Sequence, residues 1–221
     1  MARSDLAGIA AALRAARSVL VTTHVHPDGD AVGSVLALAG LARTLGCPDV
    51  ICLLHDPVPR LYRWLPGASS IAQPSGTIPA VDLVVLVDAS HAERTGSVAP
   101  VFAAAAKVAV IDHHVEDPPE DYLYFSDAGY GAAGEIVVDL FEAAGVPMTH
   151  DPAVCAYVAI ATDTGGFRFS NTTARTHHIV AGLLACGVDV ATVSAHVFDA
   201  MSPSKFLLLR HVLNKMEFHA N

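Results

Sequence analysis

Residues 82–87 hold five leucine or β-branched side chains in succession, Leu83 through Val87. A strand of that kind has no polar face to turn towards water. It must be covered on both sides, as strands are in the parallel sheets of α/β proteins. Residues 107–111 have the same character, 18–23 and 49–54 read as two further strands, and 122–125 as a shorter one. Helical spacing fills the intervals. Leu6, Ile9 and Leu13 share one face of a helix over 5–16, and 29–45 reads as a long apolar helix closed by Gly46. Pro57, Pro59, Pro66 and Pro74 break the stretch that follows, leaving room for one short helix around 60–65. Later helices are expected at 133–144, 152–161, 173–186, 190–198 and 203–216, punctuated by Gly145, Gly187 and Pro203. The alternation predicts an α/β fold with a mainly parallel sheet flanked by helices and a helix-rich later part.

The chain has 221 residues, 52% of them apolar and 16% charged, enough for a substantial buried core. It contains no uninterrupted apolar run of about 18 residues, the length of a membrane-spanning helix. Arg14 and Arg17 interrupt the N-terminal apolar residues, so that segment does not read as a secretory leader. Cys47, Cys52, Cys155 and Cys186 lack zinc-type spacing and read as reduced core residues. A cytoplasmic protein that engages no membrane is expected. The net charge of −9 argues against a grip on long duplex nucleic acid, which needs clustered Lys and Arg. Cations supplied by metals would still allow a short phosphate compound to bind.

Chemistry collects where the strands end. The first strand runs into His24, Asp28 and Asp30, the third into Asp88, and the fourth into Asp112, His113 and His114. In an open parallel sheet these ends share one edge, which is where ligands bind. Each residue also has a plainer reading. Asp28 or Asp30 can cap the following helix, Asp88 can bond nearby backbone, and Asp163, between an apolar segment and Gly165-Gly166, can be an ordinary loop residue. His26, His55, His91, His150, His177, His178, His196, His211 and His219 lack such context, although His91 is near Asp88 in the chain. Mixed His and carboxylate donors suit Mn²⁺, with Zn²⁺, Fe²⁺, Co²⁺ or Mg²⁺ as alternatives. The donors are too many for one ion. Two ions about 3.5–4 Å apart can clamp the attacking and leaving oxygens while a bridging hydroxide attacks phosphorus.

His24-x-x-x-Asp28-x-Asp30, Asp88, Asp112-His113-His114 and Asp163 resemble, in order, the motifs of the DHH phosphoesterase superfamily. The stretches 27–34 and 162–172 are most similar to its branch of nanoRNases and pAp phosphatases. The resemblance implies one metal on His24, Asp28 and Asp88, and a second on Asp30, Asp88, His113 and Asp163, with Asp88 bridging. It also implies that His114 faces the substrate phosphate, that Asp112 orients the histidines, and that Arg168 and Asn171 contact the phosphate or nucleotide. The expected catalytic residues are thus Asp112 and His114. The expected activity is hydrolysis of very short RNA to nucleoside monophosphates and of pAp to AMP.

A cyclic- or linear-dinucleotide phosphodiesterase, a manganese-dependent inorganic pyrophosphatase and a non-catalytic nucleotide sensor are the alternatives. Residues 1–190 are expected to form the catalytic domain and 191–221 a helical connector. No glycine- and histidine-rich motif of a second, C-terminal substrate domain precedes Asn221, so that domain is expected to be absent. A homodimer is a candidate assembly.

Overall fold

The computed structural model describes residues 6–116, 119, 121–199 and 201–217. Its centre is a six-stranded sheet in which every pairing is parallel. The strands are β1 (Ser18–Thr22), β2 (Asp49–Leu53), β3 (Ile71–Ala72), β4 (Leu83–Val87), β5 (Val108–Asp112) and β6 (Leu123–Ser126). The spatial order is β3-β2-β1-β4-β5-β6. The chain therefore builds outwards from β1 in one direction, returns to β4, and builds outwards in the other. The carboxyl ends of β1 and β4 lie side by side at that reversal, where a doubly wound sheet opens a crevice.

Five buried positions in β4 and five in β5 match the expectation of a sheet covered on both faces. Side chains alternate between the two cores. Val19, Val21, Leu83, Val85, Val87, Ala109 and Ile111 join a large cluster on one face. Leu20, Val84, Leu86, Val108 and Val110 join a smaller one on the other. The large face is covered by α1 (Leu6–Ala15), α2 (Gly29–Thr44), α4 (Ala133–Ala143) and α5 (His150–Asp163). The small face is covered by a 3₁₀ segment at Ala92–Val98 and α3 (Pro100–Ala104). Then come α6 (Ala174–Ala185), α7 (Val190–Val197) and α8 (Pro203–Leu213).

The expected α/β class and most expected elements are present. The two-residue β3, the 3₁₀ segment and five-residue α3 are too short for a periodic pattern to reveal. His219 and Asp5 lie outside the described residues. Among the described residues no single helix is long and apolar enough to cross a membrane. All four cysteines are free thiols, three of them buried. No residue of α8 is buried, and Phe206, Leu207 and Leu208 are exposed.

Two helices, α2 and α5, are apolar almost all round and sit inside the molecule. Small residues let them touch. A Cβ added at Gly33 would lie 2.4 Å from the Cys155 carbonyl oxygen, and α4 meets α5 in the same way, where one at Gly134 would lie 2.6 Å from the Ala159 Cβ. This approach brings the end of α5, which carries Asp163, against the start of α2, which carries Asp30. Gly33→Ala should therefore cost about 1–3 kcal/mol by overpacking. Gly182→Ala, where an added Cβ meets nothing within 4 Å, should instead stabilise α6 by about 0.5–1 kcal/mol. Urea midpoints at equal m-value measure both, and equal stabilities for the two variants would contradict the packing described.

Candidate metal centre

His24 lies two residues beyond β1 and ends its strand in a tight loop. Its Nδ1 lies 2.8 Å from the Val25 carbonyl oxygen. When Nδ1–H donates there, the Nε2 lone pair is left facing Asp88 Oδ2 at 3.3 Å. Asp28 is the N-cap of α2 and accepts from the Ala31 N–H at 3.0 Å. The plainer reading of Asp28 is thus realised, yet one of its oxygens also stands within 4.8 Å of ligand atoms of His24 and Asp88. Asp30, in the first turn of α2, is 1% exposed. It accepts from Ser34 Oγ at 2.8 Å and from the N–H groups of Ala133 and Gly134 at 2.6 and 2.9 Å. Ala132, the N-cap of α4, has no side chain able to cap. Asp30 therefore caps α4 from a distant part of the chain.

Asp88 follows β4 with φ of 61°, a left-handed conformation that costs a non-glycine residue about 1–2 kcal/mol. Its N–H extends the sheet ladder to the Ile111 carbonyl at 2.9 Å. Its two carboxylate oxygens separate. Oδ2 faces His24, whereas Oδ1 faces His113 Nε2 at 3.4 Å and His114 Nδ1 at 3.8 Å. Oδ1 is buried and accepts no hydrogen bond among the described residues. A buried carboxylate oxygen left so is costly unless a cation completes it.

Asp112, the last residue of β5, is fully buried. It accepts from Ser90 Oγ at 2.6 Å, from the His113 and His114 N–H groups at 2.8 and 3.2 Å, and from the His114 ring Nδ1 at 2.8 Å. Asp112 thus holds the ring of His114 directly but that of His113 only through its backbone. The His113 ring is instead placed by the Tyr130 carbonyl, 3.3 Å from Nδ1. His113 Nε2 faces Asp30 Oδ2 at 3.6 Å and Asp163 Oδ2 at 3.7 Å.

Asp163 is the last residue of α5, a helical position where a loop was the plainer expectation. Asn171 steadies it. The Asn171 amide donates to the carbonyls of Gly131 and Asp163 at 2.9 and 3.2 Å, with Asp163 Oδ2 at 3.5 Å. Arg168 is exposed, and its Nε donates to the Gly165 carbonyl at 2.6 Å. His91 is paired at 4.0 Å with Glu116.

Charge is crowded here. Burial, then the neighbouring Asp88 charge, raises Asp30 well above the usual carboxylate range. Burial likewise raises Asp163. Burial also works against ionised Asp88, but the contacts with His113 and His24 outweigh it and hold its pKa low. Burial opposes a charged His113, yet Asp88, Asp30 and Asp163 together lift its pKa to about 9. The His114 pKa is raised chiefly by its bond to Asp112.

Ligand atoms fall into compact groups: His24, Asp28 and Asp88; Asp30, His113 and Asp163; and Asp88, His113 and His114. Asp88 joins the first group to the third, and His113 joins the third to the second. The donor set, the oriented imidazoles and the unpartnered Asp88 oxygen fit divalent cations. All eight motif residues come together. The sequence gives no sign of the supports Ser90 and the Tyr130 carbonyl. Ser90 sits in no recognisable pattern, and a carbonyl group is common to every residue.

Residues 18–162 match the DHH family, N-terminal domain. The chain is 35% identical over 201 residues to the bifunctional oligoribonuclease and PAP phosphatase NrnA of Thermus thermophilus, over 91% of this chain and 60% of that protein. It is 27% identical over 202 residues to a manganese-dependent inorganic pyrophosphatase of Methanothrix thermoacetophila, over 90% of this chain and 64% of that protein. The chain thus spans about 60% of the length of these curated relatives. An exopolyphosphatase-related protein from Bacteroides fragilis shares the fold, with a TM-score of 0.87 at 23% identity, over 97% of this chain and 66% of that one.

Three outcomes are expected. A cation at His113 displaces a proton, so Mn²⁺ affinity measured by calorimetry should rise about tenfold per pH unit towards pH 9 and then level off. In the metal-free protein the raised His113 pKa adds stability that is complete below pH 6.5 and lost as pH rises through about 9. Thermal midpoints should fall across that window without metal and stay flat with saturating Mn²⁺. Asn171→Ala, which frees Asp163 but touches none of His24, Asp28 and Asp88, should weaken one bound ion and spare the other. Elemental analysis showing both ions retained at unchanged affinity would contradict that role.

Proposed function

Because the chain belongs to the DHH family, we propose that it is a metal-dependent phosphoesterase whose substrates are very short oligoribonucleotides and pAp. The carrying observation is the division of Asp88 between two ligand groups, one oxygen towards His24 and the other towards His113. That division suits a carboxylate bridging two cations. Held there, a pair of divalent ions supplies neutralising charge for a phosphoryl group and acidifies water. The manganese dependence of the Methanothrix relative favours manganese, as does the donor set of two histidines and four carboxylates.

The remaining work falls to the chain's own side chains. His114 is about half exposed. Its Nδ1 is occupied by Asp112, which leaves Nε2 to meet a phosphate oxygen or give a proton to the leaving oxygen. Asp112 holds that tautomer. Asp30 and Asp163 keep His113 facing inwards. We place the catalytic unit in residues 1–190, which contain every one of these groups, and read 191–221 as a helical connector. Arg168, whose Nε alone is committed among the described residues, is a reading for contact with the nucleotide.

A second reading, inorganic pyrophosphatase, is favoured by the similarity to the Methanothrix enzyme. The two are separated by assaying the Mn²⁺-loaded chain on pApA, pAp, cyclic di-AMP, pyrophosphate and a long oligonucleotide. Hydrolysis of pAp and pApA with little action on pyrophosphate is expected. Preference for pyrophosphate would replace this reading with the second, and no hydrolysis of any compound would leave the nucleotide-sensor alternative.

Two substitutions test the assignments within the centre. Asp88→Ala should lose both ions and all activity while keeping its far-UV circular dichroism. His114→Ala should retain both ions and lose about 10²–10⁴-fold in kcat. Two ions retained in Asp88→Ala would defeat the bridging assignment.

A further inference from the structure

On the same side of the sheet as the large core, a cavity of about 820 Å³ opens between the 3₁₀ turn at Arg60–Tyr62, the end of α7 and the start of α8. That volume suits a nucleotide-sized ligand. Arg60, Arg63 and Lys205 line it, and none of its lining residues is acidic. The chain has 13 Lys and Arg against 22 Asp and Glu, so a wall with three of the former and none of the latter is a local reversal of the protein's charge. Ser202, the N-cap of α8, also lines the cavity, so the positive end of that helix adds to the field there.

The cavity has an aromatic wall as well. Trp64 and His196 stack with ring centroids 4.5 Å apart and planes inclined by 28°. His196 Nδ1 is held at 2.8 Å by the Thr192 carbonyl, which fixes the ring. An aromatic platform beside cations is the arrangement that receives a nucleotide, whose base stacks while its phosphate is neutralised.

The cavity's wall reaches towards the metal centre, because the turn at Arg60–Tyr62 packs against α2, the helix that Asp28 caps, as well as against α7. We propose that this cavity is a subsite for a nucleotide unit whose phosphate is not the one cleaved. The base extends the Trp64–His196 stack, and Arg60, Arg63 and Lys205 hold the phosphate. The proposal rests on the reading of the substrate as a nucleotide. It excludes pyrophosphate as the ligand for which this wall is built, since pyrophosphate has no base.

Trp64 is the chain's one tryptophan, so its fluorescence reports the subsite without catalysis. AMP titrated into the metal-free chain should quench it, and inorganic phosphate at equal ionic strength should not. Arg60→Ala combined with Lys205→Ala, both at exposed positions, should weaken AMP binding roughly tenfold, the loss expected for one or two charge-assisted hydrogen bonds. The far-UV spectrum should be unchanged. With Mn²⁺ bound, KM for pAp and pApA should rise by a similar factor, more than kcat falls.

No quenching by AMP, equal quenching by phosphate, or equal AMP affinity in the double variant would each overturn the subsite. A full AMP response from a Mn²⁺-loaded protein that cleaves no nucleotide would instead overturn the hydrolytic function and leave the subsite standing.

Discussion

Four aspartates cannot share a confined cavity unless positive charge joins them. Asp28, Asp30, Asp88 and Asp163 converge here, Asp30 and Asp88 almost entirely out of water. Without metal, the compensation available nearby comes from His24 and His113, and the strongly raised His113 pKa expresses that demand. Every feature of the centre follows from this electrostatic load: the separated oxygens of Asp88, the imidazoles turned by backbone carbonyls, and the helix amides spent on Asp30. A group of like charges is tolerable to a fold only where protons or a cation neutralise part of it.

The scaffold that bears the load is stiff. The parallel sheet sets the carboxyl ends of β1, β4 and β5 in one row, and its reversal of winding direction opens the space above them. Helix α5 delivers Asp163 from the far side of the centre. It can do so because Gly33 and Gly134 let α2 and α4 approach its backbone closely. The left-handed backbone at Asp88 is a strain the surrounding sheet sustains, since the ladder bond to Ile111 continues through it.

The short segment between β6 and α4, together with the first turn of α4, has an outsized part. Tyr130 offers its carbonyl to His113, Gly131 offers its own to Asn171 beside Asp163, and Ala133 and Gly134 donate to Asp30. One stretch therefore steadies all three members of one ligand group, and no bond runs from it to His24, Asp28 or Asp88 among those described. Tyr130 is itself anchored by bonds to Asp139 in α4 and Arg175 in α6. The two halves of the centre are supported by different parts of the fold, which allows them to differ in affinity for the same ion.

Strand composition settles the class of fold, because five consecutive apolar β-formers such as Leu83–Val87 can be buried only in a sheet covered on both faces. The acidic and imidazole residues at the strand ends were legible for the same reason: a parallel sheet puts those ends together whatever the loops do. Asp163 was legible as a candidate but not as a helix terminus, since a buried helix has no polar face to mark its length. What the chain alone leaves open is which atom faces which. Asp88's division between His24 and His113, the placing of His113 by a carbonyl rather than by Asp112, and the basic, aromatic cavity at Arg60, Trp64 and Lys205 all join residues remote in sequence. Hydrophobic periodicity and motif spacing are local quantities, whereas these contacts exist only once the helices have packed.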